Sequence, residues 1–140
     1  MKKLLIILLC LPMIGFGQCF NPCDVTWHGD GNLLDGTCYE KYNMEAVNGC
    51  IEIKDWTTTG HKRYTYVKHK LIIKNGKLID LMSWHDNNQL KQIIKSYEEG
   101  KMKIPSPGQC YDRQGQNETC FFLWRQYLSD ALKNPNPPCE

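Results

Sequence analysis

The sequence predicts a mainly β domain: antiparallel β-hairpin repeats forming a single sheet, a short C-terminal helix, and disulfide stabilisation. Three observations point there. Short runs rich in Thr, Tyr, Ile, Val and Trp are separated by Gly and Asn, the pattern of strands divided by turns. A motif recurs every 12 residues, as Asn75-Gly76-Lys77-Leu78, Asn87-Asn88-Gln89-Leu90 and Glu99-Gly100-Lys101-Met102, a step that fits one short strand with its turn. Finally, 8 of the 140 residues are Cys, far more than a reduced cytosolic domain carries.

Residues 1–17, MKKLLIILLCLPMIGFG, read as a secretory signal peptide. Lys2 and Lys3 form a positive start, Leu4 to Leu11 an apolar run, and Gly15 and Gly17 the small residues ahead of a cleavage site before Gln18. The run is too short for a bilayer core of roughly 30 Å. The expected location is therefore periplasmic or extracellular, with no later segment crossing a membrane.

Residues 18–30, rich in Asn, Pro, Asp and Gly, read as an N-terminal loop segment, and 31–140 as the hairpin-repeat domain. Strands are expected over Thr37 to Tyr42, Cys50 to Trp56, Arg63 to Ile73, Lys77 to Trp84 and Thr119 to Trp124. Asn75-Gly76 is the dipeptide that closes a two-residue hairpin. Leu90, Ile93, Ile94 and Tyr97 also fit a helical spacing, but the 12-residue repetition favours a strand. Trp124, Tyr127, Leu128, Ala131 and Leu132 share one face of a helix of about ten residues, near 124–133, stopped by Asn134-Pro135 and the prolines after it. This helix is expected to cap the open end of the sheet.

Without Cys10, which leaves with the leader, seven Cys remain. Cys110 and Cys120 lie symmetrically about Gly115 and are expected to pair across a turn. Cys38 and Cys50 bracket a polar stretch ending in Asn48-Gly49 and are expected to pair likewise. Cys19, Cys23 and Cys139 are left for one bond between the termini and one free thiol. No CxxC or HxxxH spacing points to a metal site, and no cofactor is expected.

The 12-residue pattern resembles the MORN-variant repeats of the YwqK-type antitoxin-component family. NGKLIDLMSWHDNNQLKQIIKSYEEGK, residues 75–101, carries it best; GNLLDGTCYEKY, residues 31–42, and YDRQGQNETCFF, residues 111–122, carry it more weakly. Asn88 stands where the repeat has Gly, and residues 42–74 do not keep the step. The resemblance implies stacked β-hairpins and supplies no catalytic residues.

Charge excludes one class of partner. Without Lys2 and Lys3, 15 basic residues face 15 acidic ones, leaving no basic field for nucleic acid. Ser83, His85 and Asp86 contain the residue types of a hydrolase triad, but on a strand Asp86 points away from the other two. Trp27, Trp56, Trp84, Tyr64, Tyr66, Tyr97 and Tyr111 are expected first as core. Gathered on an exposed face they would instead stack on a glycan or anchor a protein, with Tyr64, Tyr66, Trp84 and His85 as the candidate binding residues. Along Arg63 to Lys70, strict alternation puts Arg63, Thr65, Val67 and His69 on one face and Tyr64, Tyr66, Lys68 and Lys70 on the other. Asn117-Glu118-Thr119 is an acceptor sequon. The functional expectation is an exported, non-enzymatic binding or interaction protein using a sheet face, with an unidentified protein or glycan partner. The alternative is a small secreted inhibitor or immunity-type protein that blocks one enzyme.

Overall fold

A computed structural model describes residues 19–29, 35–98, 101–102, 110–120, 124–134 and 139. The expected signal peptide, the Glu99-Gly100 motif and the proline stop after Asn134 lie outside the described residues. The elements are β1 (Cys19–Phe20), a 3-10 turn (Pro22–Asp24), β2 (Val25–His28), β3 (Thr37–Glu40), β4 (Gly49–Thr59), β5 (Lys62–Lys74), β6 (Lys77–Trp84), β7 (Leu90–Glu98), β8 (Lys101–Met102) and α1 (Trp124–Lys133).

The main sheet has the order β1-β4-β5-β6-β7-β8, and β2-β3 form a second, two-stranded sheet. From β4 to β8 the chain is an antiparallel meander. β1 runs parallel to β4 at the edge. The mainly β fold with a C-terminal helix and disulfide bonds is thus the one the sequence predicts, with a parallel edge strand and a small second sheet added. The supposed loop of residues 18–30 supplies β1 and β2, because Asn21-Pro22 confines the turn to three residues and leaves Val25–His28 extended.

The core is aliphatic and lies on one side of the main sheet. Ile51, Ile53, Leu71, Ile73, Leu78, Leu81 and Ile94 meet Leu128 and Leu132 of α1, with Val25, Cys38 and Val47 closing the flank. α1 therefore covers the sheet's face rather than capping its end. The aromatics expected in the core are mostly elsewhere. Phe20 and Trp27 pack at the core's margin, whereas Trp56, Tyr64 and Tyr127 are exposed. Alternating Ile and Leu on the strands, rather than aromatic rings, supply the face that meets the helix.

At the β5–β6 turn Asn75 and Gly76 have φ of 49° and 77°, as a two-residue hairpin requires. This turn is docked. Cys38 N donates to Gly76 O at 2.7 Å, and Gly76 N donates to Val47 O at 2.9 Å. A Cβ on Gly76 would meet the Thr37 methyl and would lie 2.9 Å from Cys38 O. Gly76→Ala therefore meets a left-handed backbone and a close carbonyl together, and is expected to cost about 2 kcal/mol in urea unfolding. A loss within about 0.5 kcal/mol, the range of ordinary surface substitutions, would contradict the docked turn.

The sulfur pairing is Cys19–Cys50, Cys23–Cys139 and Cys110–Cys120. The last is as expected, although Tyr111 and Asn117 rather than the two Cys are the bridge partners. Cys38–Cys50 is not formed. The parallel register of β1 sets Cys19 directly across from Cys50, with Cα atoms 4.4 Å apart. Cys38 is drawn into the small sheet opposite Trp27 and is the free thiol among the described residues. Burial pushes that thiol up to about 12, so it stays protonated and unreactive in the folded chain. Three disulfides belong to an oxidising, non-cytoplasmic environment.

The expected strand at Thr119–Trp124 is not found among its described residues. Thr119 and Cys120 lie outside any strand and Trp124 opens α1, while residues 121–123 lie outside the described residues. The strand expected over Thr37–Tyr42 ends at Glu40, where Met44 N donates back to Glu40 O and turns the chain.

Candidate functional site

The longest two strands build a projection. β5 pairs with β4 as far as Thr59↔Lys62, but with β6 only from His69 onward. β1 covers only Cys50 and Ile51 of β4. Lys54–Thr59 and Lys62–Val67 therefore leave the sheet as a two-stranded arm, closed at Gly60 with φ 63°. Such a pair is only marginally stable alone, and its Thr, Tyr, Val and Trp residues supply the cross-strand contacts that hold it.

A register shift sits at the root of the arm. Ile53 faces His69, but Lys54 faces Val67, so Lys68 is the extra residue. A bulge of this kind re-aims side chains. Beyond it, the strict alternation expected for Arg63 to Lys70 fails. Tyr64 and Tyr66 pair with Thr57 and Asp55 on the helix-facing side, where Lys68 and His69 also lie. Val67 and Lys70 fall on the outer side, lining a shallow groove of about 290 Å³ with Glu52, Trp84 and Asn88.

On that outer side the Arg63 guanidinium lies over the Trp56 ring, 3.6 Å from its centroid. Trp56 is nevertheless 43% exposed, and Tyr64 on the opposite side is 50% exposed. The Arg63–Trp56 stack, worth about 0.5–1 kcal/mol at an exposed site, holds the indole upright rather than folded against the strand.

The helix-facing root of the arm is polar. The His69 Nδ1 and Ser83 Oγ are 2.6 Å apart, and Gln92 Nε2 donates to Ser83 Oγ at 3.4 Å. Lys68 Nζ meets Asp55 Oδ2 at 3.3 Å. Thr57 Oγ1 donates to Asp86 Oδ2 at 3.3 Å, and Arg113 NH1 meets Asp86 Oδ1 at 2.5 Å. Burial, then the Asp55 and Asp86 charges, push the Tyr66 hydroxyl above its ordinary range against the pull of Arg113. Burial, then Lys68 and Lys91, push His69 down to about 3 against the pull of Asp55.

The four candidate binding residues are not brought together. Tyr64 and Tyr66 lie on one side of the arm and Trp84 on the other. His85 is occupied: its Nε2 donates to Tyr111 O at 2.8 Å. With Asn87 Nδ2 donating to Arg113 O at 2.9 Å, and Tyr111 N donating to Lys91 O at 2.7 Å, His85 fastens the 110–120 loop to the sheet. Ser83 finds His69 rather than His85, so the Ser83-Trp84-His85-Asp86 run assembles no triad. Ser83 is fully buried and its partner His69 is a very weak base, so this pair knits strands together. The residues missed from sequence are Arg63 over Trp56 and the His69–Ser83–Gln92 chain; both depend on cross-strand register rather than local spacing.

Among the described residues no group of three His, Cys, Asp or Glu side chains is placed to hold a metal, and no helix is long and apolar enough to cross a membrane. No protein-family model, no curated protein and no solved structure matches the chain.

Proposed function

We propose that this chain is an exported, non-enzymatic binding protein that grips a protein partner with its arm and the adjoining outer face of the sheet. The observation that carries this reading is Trp56, 43% exposed and held by Arg63, on an arm that no other strand among the described residues flanks. Trp, Tyr and Arg are the side chains that dominate protein–protein binding energy. Arg63 already covers one face of the indole, which favours a protein partner over a stacked sugar. Lys54, Lys62 and Arg63 outnumber Asp55 along the arm, so the partner surface is acidic. Export is supported by the three disulfides and by the pattern of residues 1–17. The MORN-variant resemblance belongs to the same proposal, supported by hairpin turns at Asn75-Gly76 and Asn87-Asn88 that keep the 12-residue step. A narrow, projecting two-stranded arm also suits the inhibitor reading, in which it enters an enzyme's cleft.

Immobilised protein is exposed to envelope extract and, separately, to cell-wall glycan. We expect one stoichiometric protein partner, retained about 30-fold less well by Trp56→Ala, the scale of a binding hot spot, and unaffected by Tyr42→Ala at a more exposed site off the arm. Circular dichroism confirms that both variants are folded. Retention on glycan alone would move the partner class, and equal loss in both variants would end the reading.

A further inference from the structure

The helix does not close completely onto the sheet. Between them a cavity of about 360 Å³ remains, walled by Lys68 and His69 of β5, Lys91 and Gln92 of β7, and apolar side chains that include Leu81 and Leu128. That volume is at the small end of ligand-binding pockets. We propose that this cavity is a binding site for a small amphipathic monocarboxylate, with its carboxylate between Lys68, Lys91 and His69 and its hydrocarbon along Tyr127 and Ala131 of the helix.

Three arguments set the ligand's chemistry. The first is donor direction. Gln92 Nε2 donates to Ser83 Oγ, and the arrangement that also gives the buried hydroxyl's hydrogen an acceptor has it donate to His69 Nδ1, 2.6 Å away. In that arrangement the ring proton sits on Nε2. The polar end of the cavity then offers three donors: Nε2–H and two ammonium groups. The second argument is net charge. Asp55 neutralises Lys68, whereas Lys91 has no ion-pair partner among the described residues. One uncompensated positive charge suits a monoanion better than a phosphate dianion. The third is the apolar wall, which gains from a hydrocarbon body and would reject a bare inorganic anion. His69 stays neutral throughout the physiological range and serves as a donor, not as a counter-charge. The site is separate from the outer face and does not depend on the proposed protein partner.

A free alkyl acid and the C-terminus of an apolar peptide share this chemistry. The test is calorimetric titration of the protein, disulfides intact, at pH 7 with octanoate and with acetyl-Leu-Leu, using octan-1-ol and octylamine as controls. One of the two acids should bind saturably, one to one, and at least about tenfold tighter than either control, the tighter acid identifying the source. Lys91→Met should weaken that acid about tenfold while leaving the unfolding midpoint within the range of a surface substitution. Absence of saturable acid binding, equal binding of octan-1-ol, or unchanged affinity in Lys91→Met would each overturn the proposal.

Discussion

Replacing Cys23 and Cys139 together by Ser should lower folding stability by about 5 kcal/mol, the largest effect of any paired substitution at a disulfide here. The bond closes a separation of 116 residues, against 31 for Cys19–Cys50 and 10 for Cys110–Cys120. Chain entropy restricted in the unfolded state grows with that length, giving about 4 and about 3 kcal/mol for the two shorter closures. A second physical reason gives the same ranking. Among the described residues α1 enters the core through Leu128 and Leu132, with Ala131 packed beside them, and a helix of 10 residues is too short to persist without its tertiary contacts. Cys120 ties the chain just before it and Cys139 just after it, so loss of the latter frees the C-terminal side. Urea unfolding of the three paired Ser variants measures the ranking, and helical circular dichroism reports the undocking. A smaller loss for the Cys23/Cys139 pair than for Cys110/Cys120 would contradict both arguments.

Acid should weaken the fold through His69. Its folded-state value is pushed to about 3, while in the unfolded chain it returns to about 6.5. Between those values the unfolded state holds the extra proton, so stability rises with pH there. The contribution is complete above about pH 6.5 and is lost progressively as pH falls towards 3. From pH 7 to pH 4 the loss attributable to this residue is about 3 kcal/mol. Lys68 and Lys91 face the ring and deepen the effect, while Asp55 opposes it. Chemical denaturation of the protein and of His69→Gln at pH 4, 5, 6 and 7 isolates the term, because carboxylate contributions are common to both. The variant's profile should be flatter by most of that amount. Parallel profiles would mean that His69 is protonated in the folded chain.

Features set by local chemistry were legible in the residues. Asn75-Gly76 announces a turn because both central positions need positive φ, and the spacing of Trp124, Tyr127, Leu128, Ala131 and Leu132 fits only a helical face. β6 and β7 follow from alternation and from the 12-residue step. What escaped depends on pairing between distant segments. Nothing near Cys19 says that it will lie parallel to Cys50, so the nearer Cys38 looked the better partner. The extra residue at Lys68 carries no Gly or Pro to mark it, yet it decides which side Tyr66, Val67 and Lys70 occupy. His69 and Ser83 are 14 apart in sequence and meet only because β5 and β6 pair in that register. Of the binding candidates, Trp84 lies on the outer groove, whereas His85 proved to be a fastening for the 110–120 loop, a role that only the folded chain exposes.

Cys38 has a consequence for what happens after the chain opens. In the folded state its sulfur is sealed beneath the two-stranded sheet and cannot reach another thiol or disulfide. Once unfolded, the same sulfur ionises near its ordinary range and becomes an internal nucleophile on a chain holding three bonds it can attack. Exchange then redistributes those bonds, and a scrambled chain cannot regain the native register. Prolonged heating, especially under alkaline conditions, therefore turns a reversible transition into a one-way one, and the molecule's working lifetime is set by how rarely it unfolds.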